Sequence, residues 1–158
     1  MTYLQLVNSV LRRLREDEVS TVSETSYSRL VGEFVNDAKR LVEDSYDWTA
    51  LRTTLTVSTI DTAFNYTLIG SQNKMKILDV INDTSNFFMH YKTSHWMNNA
   101  FLIDDAPTGT PQFYSFNGVD ANGDNGVDLY PKPDKAYQVR FNVVLRTGDF
   151  TEDTEKLN

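Results

Sequence analysis

The residues able to carry chemistry are few, and their spacing works against most reactions. The two histidines, His90 and His95, stand five apart. In a strand that spacing puts them on opposite faces, and in a helix about 140° apart, so they form no ready metal pair. No His-Glu-x-x-His pattern occurs, and His90 reads as a solvent-facing strand residue. The loop Asp120-Ala-Asn122-Gly-Asp124-Asn-Gly126 places acidic or amide side chains at positions one, three and five of a calcium loop. It departs from that pattern at position six, which is Asn125, and at position twelve, which is Pro131 rather than Glu. A hairpin loop that uses Asn and Gly for positive φ accounts for the same residues, with a weak cation site as the alternative.

Other constellations fail in similar ways. Asp104 and Asp105 are adjacent, which points them apart in a strand, and they read as a solvated loop before Pro107 rather than as an acid–base pair. No phosphate-binding glycine loop and no nucleophile elbow occurs. The chain has no cysteine, which excludes a thiol nucleophile, a disulfide framework and thiolate zinc sites. Asn65-Tyr-Thr67 and Asn82-Asp-Thr84 match a glycosylation acceptor, but the N-terminus lacks the order of a secretory signal. The expectation is a soluble, unprocessed, non-catalytic protein with no metal and no cofactor.

Charge narrows the partners. The 158 residues carry 15 Lys and Arg against 22 Asp and Glu, a formal charge of -7. The densest basic stretch, Arg12, Arg13 and Arg15, runs directly into Glu16, Asp17 and Glu18, so tight nucleic-acid binding is not expected. No apolar run approaches the roughly 18 to 20 residues of a membrane helix. With 40% hydrophobic and 12% aromatic residues the chain can nonetheless bury a core.

Two kinds of element must position these residues. Up to Trp48 the apolar period is helical: Leu4, Val7, Leu11 and Leu14 form one stripe, widened by Leu6 and Val10, with Thr2 as N-cap. The acidic cluster at 16–18 should fray that helix at its negative dipole end. A polar connector, Ser20 to Ser26, leads to a second helix capped by Thr25 or Ser26. Its apolar set is Leu30, Val31, Phe34, Val35, Ala38, Leu41 and Val42, extended by Tyr27 and Tyr46. The two helices are expected to pair as a hairpin, each supplying what the other lacks for a core.

After Trp48 the period drops to two. Strands are expected at Thr54 to Thr59, Phe64 to Ile69, Met75 to Ile81 and Phe87 to Thr93, although Ile77, Leu78, Val80 and Ile81 would also suit a helical turn. Ser94 to Ala100 reads as irregular or a short turn of helix. Pro111 to Phe116, a turn over Asn117 to Gly126, Val127 to Tyr130, a turn at Pro131 to Asp134 and a strictly alternating strand from Tyr137 to Leu145 complete a β region with one buried face. The fold class is therefore α+β. A helical hairpin occupies 1–48 and an antiparallel β domain, meander, sandwich or barrel-like, occupies 49–148. A polar acidic tail with no core to join occupies 149–158. Tyr46, Trp48, Trp96, Phe113 and Tyr114 cluster at element ends. Either they seal the junction of helices and sheet or they form a subunit interface, where such residues are enriched.

The order of these features resembles the head-to-tail adaptor family of short-tailed bacteriophages, the tail tubular protein A-like proteins. It is carried by the helical hairpin followed by Asp47-Trp48 and Leu51-Arg52, then Tyr66-Thr67-Leu68 and the Ile/Val-rich strand from Ile77 to Ile81. Gly109-Thr-Pro111-Gln-Phe113-Tyr114 follows, and then Leu129-Tyr130-Pro131-Lys-Pro133-Asp134 before the strand from Tyr137. Family members continue into further helices that close the bundle. This chain stops at Asn158, as a short variant or as a fragment. The resemblance implies a structural virion protein of the neck or tail, made in the host cytoplasm and forming a homo-oligomeric, dodecameric ring. Its partners would be the portal protein and a tail nozzle or tube protein, with genomic DNA passing through a channel that does not grip it. An acidic lumen suits that passage. The residues also allow a soluble β-rich ligand- or carbohydrate-binding module using aromatics around Trp96 and the 117–126 loop. A small hydrolase would need a carboxylate pair assembled by the fold.

Overall fold

The first helix, α1 (Tyr3–Arg13), starts where a capping box closes its free N–H groups. The Thr2 hydroxyl accepts from the Gln5 N–H at 3.3 Å while the Gln5 side chain accepts from the Thr2 N–H at 2.9 Å. It stops before the acidic cluster, with Arg15 at a positive φ of 62° turning the chain away. Thr25 caps α2 (Ser26–Ser45) in the same way, paired with Ser28. This computed structural model describes residues 1–71, 75–102 and 106–157.

The chain forms two units: Met1–Ala50 together with Arg146–Asn158, and Leu51–Leu145. In the helical unit, Tyr3, Val7 and Leu11 of α1 pack on Val22 of the connector, Val31 of α2 and Phe150 of the C-terminal segment. The tail therefore does have a core to join, contrary to the sequence reading. Its polar composition hides one large aromatic, which stacks on Tyr3 with ring centroids 5.2 Å apart. Close approach of the helices depends on Gly32, where a Cβ would lie 2.4 Å from the Tyr3 hydroxyl oxygen and 2.8 Å from Val22 Cγ1. Gly32→Ala is expected to destabilise the unit by about 1–3 kcal/mol through overpacking. That outweighs the gain of about 1 kcal/mol in helix propensity, and urea unfolding followed by helical circular dichroism measures the balance.

The second unit is a two-sheet sandwich. One sheet runs β1 (Arg52–Ser58), β10 (Gln138–Leu145), β3 (Met75–Asn82), β4 (Phe87–Phe88). The other runs β2 (Asn65–Leu68), β8 (Asn125–Tyr130), β7 (Phe113–Val119), β5 (His90–Tyr91). A small parallel pair, β6 (Thr108–Gly109) with β9 (Lys132–Pro133), is an addition that periodicity did not reveal. The order is not a meander, because β10 returns to lie between β1 and β3, and neither main sheet closes into a barrel. Val57, Val80, Val139, Phe141 and Val143 of the first sheet meet Leu68, Tyr114, Val127 and Leu129 of the second in one core. These are the inward residues of alternating strands, the arrangement that stacked sheets require. Met75–Asn82 is a strand, as its flanking turns predict. The expected strand from Phe87 to Thr93 is broken at Met89, where the chain leaves one sheet for the other, and α3 (Ser94–Phe101) follows.

Candidate functional site

The second helix buries only one side of the apolar set that its spacing suggests. Ser28, Val31, Gly32 and Lys39 are the buried residues. Tyr27, Leu30, Phe34, Ala38, Leu41 and Val42 are exposed, Phe34 at 60% and Leu41 at 72%. At 3.6 residues per turn this stripe lies about a third of a turn from the buried face and runs for about 22 Å along the helix. The expectation that the whole apolar set fills the hairpin core is thus corrected: Val31 and Val35 pack there, while Leu30, Phe34, Ala38, Leu41 and Val42 do not. Small Ser28 and Gly32 admit α1, and the polar residues beyond them serve the C-terminal segment.

That segment forms a strap along α2, held by one helix residue after another. Asn36 makes two bonds with the Phe150 backbone, donating to its carbonyl at 3.1 Å and accepting from its N–H at 2.9 Å. Lys39 Nζ donates to the Gly148 carbonyl at 2.5 Å and pairs with Glu43 at 3.3 Å, both side chains being almost fully buried. Arg40 pairs with Asp149, the Thr147 hydroxyl donates to Glu43 at 2.5 Å, and Arg146 pairs with Asp44. These five helix positions recur at spacings of one, three and four, a pattern that a reading for apolar periodicity passes over.

The strap is expected to loosen in acid. The Arg40 guanidinium, chiefly through its hydrogen bond, holds the Asp149 carboxyl below the usual carboxylate range. The N–H groups of Glu152 and Thr151 do the same for Glu155. A carboxylate with a depressed folded pKa stabilises the native state above its unfolded value, and the contribution is lost as pH falls through the folded value. The Arg40–Asp149 pair is more than a third exposed, so solvent screening keeps its effect small. Asp149→Asn is expected to lower the neutral-pH melting temperature of the helical unit and to narrow its difference from that at about pH 3. Melts of both proteins at the two pH values check this.

The aromatic residues singled out by sequence divide among three settings. Tyr46 and Trp48 lie exposed at the C-terminal end of α2, edge to face with centroids 5.4 Å apart. The Trp48 indole N–H donates to the Val42 carbonyl at 2.8 Å, satisfying an end-of-helix acceptor. Trp96 on α3 is half-buried against Phe113 and Tyr130, with Lys92 Nζ 5.1 Å from its ring centroid. Tyr114, only 8% exposed, belongs to the sandwich core, where burial raises its hydroxyl pKa.

The candidate polar sites resolve locally. Asp120 Oδ1 accepts from the Asn122 and Asp124 N–H groups at 2.8 and 3.0 Å, and Asp124 Oδ1 accepts from the Gly70 N–H at 3.0 Å. Gly123 takes a φ of 87° in that turn. The two bonds to Asp120 are those of a hairpin turn, and the Asp124–Gly70 bond ties that turn to the chain just after β2. His90 is exposed on β5, and His95 is exposed on α3 beside Asn99. Asp104 and Asp105 lie outside the described residues. Among the described residues no group of three His, Asp or Glu could hold a metal, and no helix is long and apolar enough to cross a membrane.

A contiguous apolar face left exposed on this scale marks an interaction surface, for a protein, a membrane or a ligand. The comparisons with known proteins agree in kind. Over residues 1–158 the chain matches the family described as SU10 adaptor protein, and it belongs to that family of phage head-to-tail adaptors. It is thus a bacteriophage structural adaptor. No curated protein matches the chain.

Proposed function

We propose that copies of this chain form a ring in the virion neck that joins the portal to the tail and lines the channel through which DNA leaves. In this reading α2 presents Leu30, Phe34, Leu41 and Val42 to the portal or to the neighbouring copy, and the sandwich builds the outer or tail-facing wall. The observation that carries it is the exposed α2 stripe on a member of an adaptor family. A net charge of -7 suits a wall along which DNA slides, since an excess of carboxylates repels phosphates. The carbohydrate-binding alternative has less support, because Trp96 is engaged by Phe113, Tyr130 and Lys92.

The test is light scattering of the chain with and without purified portal rings. Uptake near one copy per portal subunit is expected. The double variant Phe34→Ser/Leu41→Ser should keep the wild-type melting temperature and bind at least about tenfold more weakly, the loss typical of interface anchors. A chain indifferent to portal, or a variant that binds unchanged, would overturn the reading.

A further inference from the structure

The two edges of the sandwich are built differently. At one, β4 and β5 are two residues each, and Met89 alone separates them as the chain passes between sheets. Very short strands are a usual way of blunting an edge. At the other edge β1 runs for seven residues, pairs with β10 along its whole length and, among the described residues, has no hydrogen-bonded strand on its far side. It contains no Pro, Gly or Lys and no bulge, and its one charge is Arg52 at the first position.

The register shows which backbone groups this edge offers. The Thr59 N–H donates to the Tyr137 carbonyl at 2.9 Å, while the Gln138 carbonyl accepts from Asp83 on the other side. Alternate residues of an antiparallel pair exchange both bonds and those between face away. Thr53, Leu55 and Val57 therefore bond to β10, and Arg52, Thr54, Thr56 and Ser58 turn their N–H and C=O groups outward. The adjacent edge is shorter. The Leu129 N–H donates to the Phe64 carbonyl at 2.8 Å, which leaves only Asn65 and Thr67 of β2 turned outward.

We propose that β1 is a strand-addition site whose occupant is β1 of a second copy of this chain, paired antiparallel about Leu55. Among the described residues the other open stretches are shorter: β3 runs free over Met75–Asp79 beyond the two-residue β4, with Lys76 and Asp79 on it, and β7 runs free over Ser115–Val119 beyond β5, with Gly118 at a positive φ of 123°. The stretch of equal length that a second copy offers β1 is its own β1. The pattern is self-complementary. Thr54 faces Thr56 of the second copy, Arg52 faces Ser58, and Leu55 faces Leu55 on the apolar side. No carboxylate stands on β1, so two copies of net charge -7 meet where no acidic side chains oppose each other. The contact is isologous and closes at two copies. It is separate from the contacts that would close a ring, and it stands or falls independently of the adaptor reading.

The full chain is tested by light scattering from micromolar to millimolar concentration, at low and moderate salt. A reversible dimer is expected, strengthened by salt as the like net charges are screened. Thr56→Pro removes an outward N–H at a position where an edge strand tolerates proline, and Thr54→Lys adds a charge there. Both should leave the chain monomeric, and Thr54→Lys decides should the proline variant unfold. Because the chain has no cysteine, Leu55→Cys carries a single thiol. Its Cα would lie about 4.5 Å from its counterpart in a non-hydrogen-bonded pair, within disulfide reach. Oxidation should convert it largely to a covalent dimer and leave Val119→Cys, an exposed site elsewhere on the sandwich, monomeric. A wild-type chain that stays monomeric throughout, or a dimer that survives Thr54→Lys and gives no Leu55→Cys cross-link, overturns the proposal.

Discussion

Phe150→Ala is expected to unfold the helical unit while the sandwich stays folded. The side chain is 7% exposed, stacks on Tyr3 and lies beneath Lys39, whose Nζ is 5.0 Å from the ring centroid. Truncating a buried Phe typically costs about 3–5 kcal/mol, the lost transfer energy plus the cavity left behind. The core it leaves is small: Tyr3, Val7, Leu11, Val22 and Val31 are its other buried members. A loss of that size approaches the whole stability of a small domain. Two transitions should therefore separate in thermal melts, the helical signal falling first and the near-ultraviolet signal of the sandwich keeping its wild-type midpoint. A single unshifted transition would show that the hairpin stands without this aromatic.

Lys39→Met should cost nearly as much, for a different reason. The ammonium is the partner of buried Glu43 and the donor to the Thr147 and Gly148 carbonyls. Methionine keeps the stem and deletes the charge, leaving a carboxylate in a site from which water is largely excluded. Breaking such a pair on one side destabilises by about 3–5 kcal/mol. The double variant Lys39→Met/Glu43→Leu removes the orphaned charge as well and should recover most of the loss, since buried pairs replaced by apolar residues are often near neutral. Equilibrium urea unfolding of the two single variants and the double variant gives the coupling directly. A Lys39→Met protein within about 0.5 kcal/mol of wild type, the range of ordinary surface substitutions, would mean that water still reaches Glu43.

The two sensitive positions lie in what apolar periodicity leaves out. The helices, their caps and the main strands of the sandwich were legible because hydrophobic spacing and turn residues fix them locally. Thr2 and Thr25 cap where expected, and Val139, Phe141 and Val143 face inward on alternating strand positions. The sense in which α2 uses its apolar stripe was not legible. A stripe records that a face is apolar, and the same residues suit a core or a partner. What decided the matter was Gly32 and Ser28, whose small size lets α1 pack there, together with the polar run from Asn36 to Asp44 that holds a strap distant in sequence. The strap itself could not be found by period, because a single Phe among acidic residues carries none. Of the aromatics proposed at an interface, Tyr46 and Trp48 are exposed at the end of α2, whereas Tyr114 is core. All of them sit near element ends, and that position alone does not separate the two roles.

The pairing of β1 with β10 sets Arg52 beside Val144, and this bears on how the helical unit can close at all. Its two pieces are separated by about a hundred residues of chain. Bringing the ends of a flexible loop together costs an entropy that grows as the logarithm of its length. Shortening the effective loop tenfold recovers about 2 kcal/mol. Once the sandwich has formed, the exit of the strap is tethered next to the end of the hairpin, and most of the intervening chain no longer counts as loop. The β unit thus acts as a folded cross-link, and the expected order of events is that the strands pair first and Phe150 then reaches Tyr3 at a raised effective concentration.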